Sequence, residues 1–212
     1  TSSPLNDSLI FKGGTAVHHC YLKQYRFSED LDFTSQNKSI SLNEIVRVLE
    51  SDGTFRVNKK YESDFTLKIE RLQYQGLLGQ PGNIKVEVDR HQNVVLPGIH
   101  KDYINVWQVS TQPLVMDPVE ICSEKIRATA QRARYRDFYD LHFLIYELRI
   151  NLEESIKLLR KKEIRYPVTP ENIASNWNIA QDQMERDIGS IYISKDIPAT
   201  EIDTLVRSMQ FG

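Results

Sequence analysis

The stretch from Ile10 to Ser35 constrains the fold of this chain more than any other part, because a Gly-Gly-Thr turn stands one short helix ahead of two alternating aspartates. Its apolar start is typical of the end of a buried strand. Gly13 and Gly14 let the backbone turn sharply with no Cβ in the path of an incoming phosphate, and Thr15 adds a hydroxyl group. Residues Ala16 to Tyr25 then supply about ten positions of helical length. The pattern predicts a strand, a glycine turn, a helix and a second strand.

The second strand of this pattern carries Asp30 and Asp32 on one face, together with Ser28. Leu31 and Phe33 alternate with them and point to the opposite face. Neighbours at i and i+2 on a strand lie roughly 6.5–7 Å apart, so both carboxylates can reach one hydrated Mg²⁺. Mg²⁺ prefers oxygen ligands and usually takes only one or two carboxylates from a protein. The turn and the aspartates together predict a site for a nucleoside triphosphate and its metal.

Three sequence words carry a resemblance to a known family: GGTA at residues 13–16, RFSEDLDF at 26–33 and RDFYDL at 136–141. With them the chain resembles the DNA polymerase β-like nucleotidyltransferase superfamily and, more narrowly, the AbiEii toxin family, in which GGTA, a helix and RFSEDLDF follow in this order. The resemblance is patchy between the words and spans roughly residues 10 to 145. The gap between the glycines and Asp30 is slightly longer than the general superfamily pattern.

The resemblance implies an α+β protein with a small mixed β-sheet nucleotidyltransferase core and flanking helices, followed by a C-terminal helical bundle. It implies a Mg²⁺-dependent enzyme that moves a nucleoside monophosphate from a nucleoside triphosphate to an acceptor hydroxyl. It also implies the toxin half of a type IV bacterial toxin–antitoxin or phage-abortive system, with RNA such as tRNA 3′ ends as an acceptor and a cognate antitoxin as a partner.

Further site residues come from the same resemblance. The superfamily carries a third carboxylate on a later strand, where Ile84 to Val88 alternates with charged residues; Asp89 is the candidate metal ligand and Glu87 the alternative. AbiEii-like proteins carry a lysine upstream of the RDFYDL word and an aspartate within it. Lys125 matches the lysine by general position. Asp137 and Asp140 compete for the aspartate, and the catalytic set then comprises Asp30, Asp32, Asp89, Lys125 and Asp140, with Asp137 as a nucleotide-binding residue.

The segment from Lys125 to Arg136 is the only strong local basic field, with five positive charges and no acidic residue between them. A formal net charge of −2 gives no overall basic field, so nucleic-acid binding requires such a patch. An RNA acceptor crossing this segment is one interpretation. A solvated helix end is the other, because cations are favourable near a helix C-terminus.

The predicted secondary structure changes from mixed strands and helices to helices alone between residues 110 and 117. Mixed strands and helices precede this point, whereas Asp117-Pro118-Val119-Glu120 opens a helical half with an N-cap, a proline at the first helical position and an acid at the third. We therefore predict a nucleotidyltransferase core at 1–112 and a helical domain at 113–212 that closes the nucleotide site.

The chain carries no apolar run of membrane-spanning length and no export signal, so we expect a cytoplasmic protein without a membrane partner. Cys20 and Cys122 lack metal-ligand spacing and are expected to be reduced core thiols. The chain begins at Thr1 rather than Met, which leaves a further N-terminal element open.

Two other functions are compatible with the same residues. Transfer could go to a protein hydroxyl or a small molecule, with Ser28 as an acceptor in self-modification. Alternatively, the chain could be a nucleotide-binding regulatory module without turnover. A missing catalytic carboxylate would favour the module, whereas all the expected carboxylates are present in the sequence.

Overall fold

The computed structural model describes residues 5–36, 40–162 and 166–211, which form two compact units. The first unit takes its described residues from Thr1–Cys20, Ser28–Val94 and Gly98–Met116. The second takes them from Tyr21–Phe27, Val95–Pro97 and Asp117–Gly212. The predicted α+β class is confirmed, because a mixed sheet builds the first unit and helices build the second.

The first unit is built on one sheet of seven strands among the described residues, in the order β3-β4-β5-β2-β1-β7-β6. The β2–β5 and β1–β7 pairs are parallel and the others are antiparallel. The strands are β1 (Leu9–Lys12), β2 (Leu31–Ser35), β3 (Arg56–Glu62), β4 (Thr66–Gln75), β5 (Pro81–Asp89), β6 (Ile99–His100) and β7 (Leu114–Val115).

The helical segment after the glycine turn differs from the prediction of Ala16 to Tyr25. Helix α1 (Gly13–Ala16) begins at the first glycine and continues as a π-helical turn over Val17–Tyr21. The segment ends there, and Gln24 adopts a φ of 48°, in the left-handed region that reverses a chain rather than extending a helix. The helix therefore starts three residues earlier and ends four residues earlier than predicted.

Helix α2 (Leu42–Leu49) supplies the apolar cover of one sheet face. The Ser41 side chain accepts a hydrogen bond from the Glu44 N–H group and caps the helix start. Leu42 and Ile45 are buried in one cluster with the inward-facing residues of the sheet, among them Leu67, Ile69, Val86 and Val88. Leu31 and Phe33 pack against this cluster, so their strand neighbours Asp30 and Asp32 face away from it.

The second unit contains six helices among the described residues: α3 (Pro118–Gln131), α4 (Tyr135–Tyr146), α5 (Leu152–Leu159), α6 (Pro170–Asp182), α7 (Met184–Ile191) and α8 (Ala199–Ser208). Helix α3 packs against α4, α5 and α6. The Asp117 side chain accepts a 2.8 Å hydrogen bond from the Val119 N–H group, so the predicted helix start is confirmed. The core is aromatic, and Tyr135, Phe138, Tyr139 and Trp177 are all fully buried.

Both cysteines are free and buried, as expected of reduced core thiols. Burial raises the pKa of the Cys20 thiol to about 12 even though the Lys101 charge lowers it. Burial likewise raises the pKa of Cys122 to about 12. Neither thiol is therefore a nucleophile near neutral pH.

Candidate active site

The glycine turn and the second aspartate are packed directly against each other. Gly13 has a φ of 75°, and a Cβ atom built on it would lie 2.5 Å from Oδ2 of Asp32 and 3.1 Å from its Cβ. Lys12, just before the turn, is the strand partner of Asp32. Only glycine therefore combines this backbone conformation with this approach of the carboxylate.

Thr15 ties the turn to the chain that leads into β2. Its buried hydroxyl donates a hydrogen bond to the Asp30 carbonyl oxygen. The Thr15 and Ser28 hydroxyl oxygens are 2.9 Å apart, within hydrogen-bond distance. The predicted turn residues are thus connected to Asp30. The Thr15 hydroxyl binds the Asp30 carbonyl and lies beside Ser28, and the two glycines form the start of a helical segment.

The pairing of β2 with β5 places Glu87 beside Asp32. These two residues are partners in the parallel ladder, whereas Asp89 is the partner of Thr34, one pair further along. Partners in adjacent strands point to the same face, roughly 4.8 Å apart. Glu87 thus lies level with Asp32, and the register favours it over Asp89 as the third carboxylate.

Asp89 has a different environment from Glu87. One of its carboxylate oxygens accepts hydrogen bonds from the backbone N–H groups of His91 and Gln92, at 2.9 and 3.0 Å. The other lies 3.9 Å from the Lys12 ammonium group, which also donates a 2.9 Å hydrogen bond to the Gln92 side chain. Asp89 therefore organises the loop that follows β5.

Lysine side chains lie among the carboxylates of this face. The Lys85 ammonium group is 3.7 Å from Asp30 Oδ2 and 3.6 Å from Glu87 Oε2, and Lys68 is 3.4 Å from Glu87. The charges of the acidic residues are thus partly compensated by the protein. The sequence prediction assigned no role to Lys85, although its position two residues before Glu87 on one strand indicated that both side chains share a face.

The donor set suits Mg²⁺. Within the three described ranges, no group of three or more His, Cys, Asp or Glu side chains is arranged to hold a metal ion. Mg²⁺ does not need such a cage, because it retains water and takes one or two carboxylates together with substrate phosphates. Asp30 and Asp32, which share one face beside the glycine turn, fit that requirement.

The other predicted residues, Lys125, Asp137 and Asp140, lie together in the second unit. The Lys125 ammonium group is 3.0 Å from Asp137 and 2.6 Å from Asp140, with both carboxylates fully buried. Arg132 binds Asp137 at 2.7 and 3.1 Å. Both Asp137 and Asp140 therefore contact Lys125, so the two aspartates between which the sequence did not decide belong to one cluster.

Arg26 completes this cluster, and sequence reasoning missed it. Its buried guanidinium donates to both carboxylate oxygens of Asp140, one of these hydrogen bonds measuring 2.7 Å. The neighbouring Tyr25 hydroxyl donates to the same carboxylate at 2.7 Å. Arg26 opens the RFSEDLDF word and Asp140 lies in the RDFYDL word, so the two longest words meet in one ion pair. An arginine in a motif with no assigned role was the available signal.

The charges of the cluster hold both aspartates ionised. Burial alone would raise the pKa of Asp137, but the Lys125 and Arg132 charges outweigh it and hold that pKa far below its usual range. Burial opposes ionisation of Asp140 as well, and the Arg26 and Lys125 charges again bring its pKa below the ordinary value. Three cationic side chains face two carboxylates, which leaves one positive charge in excess.

The basic run divides into a buried start and an exposed end. Lys125 is buried in the cluster, whereas Arg132 and Arg134 are exposed and Arg136 is half-buried. A pocket of about 330 Å³ opens beside the last two arginines, lined by Ala133, Arg134, Arg136, Gln183, Asp187 and Ile191. The exposed arginines of the run are therefore Arg132 and Arg134, and Arg127 and Arg136 are half-buried.

In the part of the chain that the structure describes, no helix is long and apolar enough to cross a membrane. A comparison with curated proteins finds no significant match. Among solved structures, the nucleotidyltransferase toxin MenT4 from Mycobacterium tuberculosis H37Rv is similar, with a TM-score of 0.71 and 22% identity over 95% of this chain and 74% of that one. A crystal structure of a protein from H. pylori, assigned as a nucleotidyltransferase, gives a TM-score of 0.59 and 22% identity over 96% of this chain and 87% of its own.

At these identities the two structures show the fold, and the family rests on a sequence model. That model, described as the nucleotidyl transferase AbiEii toxin of the type IV toxin–antitoxin system, matches residues 1–202. Because the match covers nearly the whole length, the chain belongs to the AbiEii family of nucleotidyltransferase toxins and is an enzyme of the nucleotidyltransferase class.

Proposed function

We propose that this toxin transfers a nucleoside monophosphate from a nucleoside triphosphate to an acceptor hydroxyl, and that it depends on Mg²⁺ held by Asp30 and Asp32. The packing of the Asp32 carboxylate against Gly13 carries the proposal. It places a carboxylate directly beside the glycine turn, and nucleotidyl transfer requires metal-binding carboxylates next to a phosphate-binding turn.

Bound Mg²⁺ would neutralise phosphate charge and favour attack by the acceptor oxygen. The protein's own part is to hold the ligands. Thr15 fixes the Asp30 backbone, Gly13 leaves room for the Asp32 carboxylate, and the β2–β5 ladder sets Glu87 beside Asp32. The acceptor hydroxyl attacks the α-phosphate, the α–β bridging bond breaks, and pyrophosphate leaves.

We assign Lys125 to the phosphates of the nucleotide. The excess positive charge of its cluster supports this role, because a triphosphate carries several negative charges that such an excess attracts. Lys125→Ala should then weaken binding of a nucleoside triphosphate more than binding of the matching monophosphate, as measured by calorimetric titration. Equal losses would mean that Lys125 serves only to neutralise Asp137 and Asp140.

RNA, tRNA included, is the acceptor class we favour, with the exposed Arg134 and the half-buried Arg136 contacting its backbone. Arginine binds phosphate through a planar fork of N–H donors, and these two arginines lie two residues apart beside the pocket. The fork of Arg132 already binds Asp137. A type IV toxin also has a cognate antitoxin, and we expect such a partner for this chain.

The acceptor and the base can be identified in one experiment. Purified protein is incubated with Mg²⁺, bacterial RNA or protein, and each nucleoside triphosphate in turn, labelled at the α-phosphate. Label on RNA supports the proposal. Label on another polypeptide assigns a protein acceptor, and label on the chain itself assigns self-modification, for which Ser28, half-buried and 2.9 Å from the Thr15 hydroxyl, is the candidate.

Asp32→Asn should abolish labelling while the protein stays folded. Glu29→Gln is the matched control, because it removes an acid from the same word at an exposed position on the other side of the alternation. Loss of labelling in Glu29→Gln as well would mean that charge, not the metal site, matters. Absence of labelling from the wild-type protein with every nucleotide and acceptor would favour the regulatory module without turnover.

A further inference from the structure

Lys85 occupies a position between two carboxylates of the proposed metal site. It lies on β5, two residues before Glu87 and on the same face. Its ammonium group is 3.7 Å from Asp30 Oδ2 and 3.6 Å from Glu87 Oε2, so one cation bridges an acid of its own strand and an acid at the start of β2. All three side chains are about one-third exposed.

The distances describe loose ion pairs. Both exceed the range of a good N–H···O hydrogen bond, and solvent reaches all three groups, so neither pair locks the lysine in place. Lysine is a compact charge on a flexible stem and can swing away without a backbone change. Mg²⁺ carries twice the charge and binds carboxylate oxygen at roughly 2.0–2.1 Å, so it can displace an ammonium group from this position.

We propose that Lys85 is an internal cation that competes with the divalent metal for Asp30 and Glu87. Without metal, its ammonium group offsets part of the charge of the two carboxylates, with Lys68 as a second cation 3.4 Å from Glu87, and limits their mutual repulsion. When metal binds, Lys85 gives way, and the cost of its displacement sets the metal concentration at which the site fills. This inference rests on the proposed function, because it requires Asp30 to be a metal ligand.

The test is direct metal binding without nucleotide. Mn²⁺ replaces Mg²⁺ because its binding can be followed both calorimetrically and by electron paramagnetic resonance. Lys85→Met should tighten Mn²⁺ binding roughly three- to tenfold, the range expected from removing one or two partly exposed ion pairs. Lys85→Gln is a second neutral variant in case the first folds poorly, and Lys85→Arg, which keeps the charge, should stay close to wild type.

Lys59→Met provides the matched control. Lys59 lies on the edge strand β3 of the same sheet and pairs with Glu70, away from the aspartates, so its loss makes the same change in net charge. Mn²⁺ affinity should change less than twofold in this variant. Equal tightening in Lys59→Met and Lys85→Met would overturn the inference, because net charge alone would then explain it.

Asp30→Asn separates failure of this inference from failure of the proposed function. If wild-type protein binds Mn²⁺, Asp30→Asn loses it and both neutral Lys85 variants match wild type, then the metal site stands and the role of Lys85 is refuted. If Asp30→Asn binds Mn²⁺ as well as wild type, the metal assignment itself is wrong and the inference falls with it.

Discussion

Gly13→Ala tests whether the contact between the glycine turn and Asp32 matters for catalysis. Two separate costs follow from the structure. The φ of 75° is unfavourable for any residue with a Cβ, by roughly 1–2 kcal/mol. The new Cβ would also lie 2.5 Å from Asp32 Oδ2 and 3.1 Å from the Asp32 Cβ, so the carboxylate must move.

Gly53→Ala carries the backbone cost of a positive φ without a clash of the new Cβ. Gly53 has a φ of 77°, and a Cβ built on it meets no atom within 4 Å. Gly53→Ala should therefore lose roughly 1–2 kcal/mol of stability, and Gly13→Ala at least as much, because the Asp32 carboxylate must also move. For a chain of this size, each kcal/mol corresponds to about 2–4 °C in Tm.

Only Gly13→Ala should lose transfer activity in addition, because displacement of a reacting group by about 1 Å can cost 100-fold in rate. The assays are a thermal melt and the initial rate of label transfer at saturating Mg²⁺ and nucleotide. Equal transfer rates in the two variants, with similar melting temperatures, would refute the reasoning that the turn positions Asp32.

Three further predictions concern the third carboxylate, the buried cluster and the acceptor. Glu87→Gln should lower the transfer rate about 1000-fold, or about 4 kcal/mol, and Asp89→Asn less than tenfold; the reverse order would return the third carboxylate to Asp89. Asp140→Asn leaves the buried Arg26 guanidinium without its carboxylate partner, whereas Lys125 keeps Asp137, and should lower the free energy of unfolding by about 3–5 kcal/mol in urea titrations at pH 7. Because the pKa of Asp140 is lowered in the folded state, its contribution to stability is present above about pH 4 and is lost as the pH falls further. The difference in unfolding free energy between variant and wild type should therefore narrow in acid. A difference that stays constant with pH would contradict an ionised Asp140. Arg134→Ala/Arg136→Ala should flatten the slope of log RNA affinity against log salt by about 1.4, and an unchanged slope would exclude these contacts. The matched control for the last pair removes two other exposed arginines, Arg47 and Arg160.

Local features of the site were predictable from sequence because their causes are local. Gly13 marks a backbone conformation that few other residues adopt, and the alternation of Asp30 and Asp32 with apolar neighbours fixes their common face. The start of α3 at Asp117 follows from capping chemistry within three residues.

Long-range features were not predictable in the same way. The Arg26–Asp140 pair joins residues 114 positions apart, and neither sequence motif contains a signal that identifies the other residue as its partner. The choice between Glu87 and Asp89 depends on the register between β2 and β5. A register shift of two residues keeps every side chain on the same face, so the alternation of the sequence cannot distinguish the two registers. The end of the helical segment at Tyr21 depends on a π-helical turn that the periodicity of a regular helix does not predict.

Transfer of a nucleoside monophosphate, rather than of a terminal phosphate, can be recognised from the position of the label in the nucleotide. Two parallel reactions contain the same nucleoside triphosphate, labelled either at the α- or at the γ-phosphate, with Mg²⁺ and RNA. If the α-phosphate is transferred, α-label enters the RNA and γ-label leaves as pyrophosphate, and the Asp32→Asn variant shows neither reaction. Label from the γ-phosphate on RNA or protein, or α-label transfer that persists in Asp32→Asn, would contradict this mechanism.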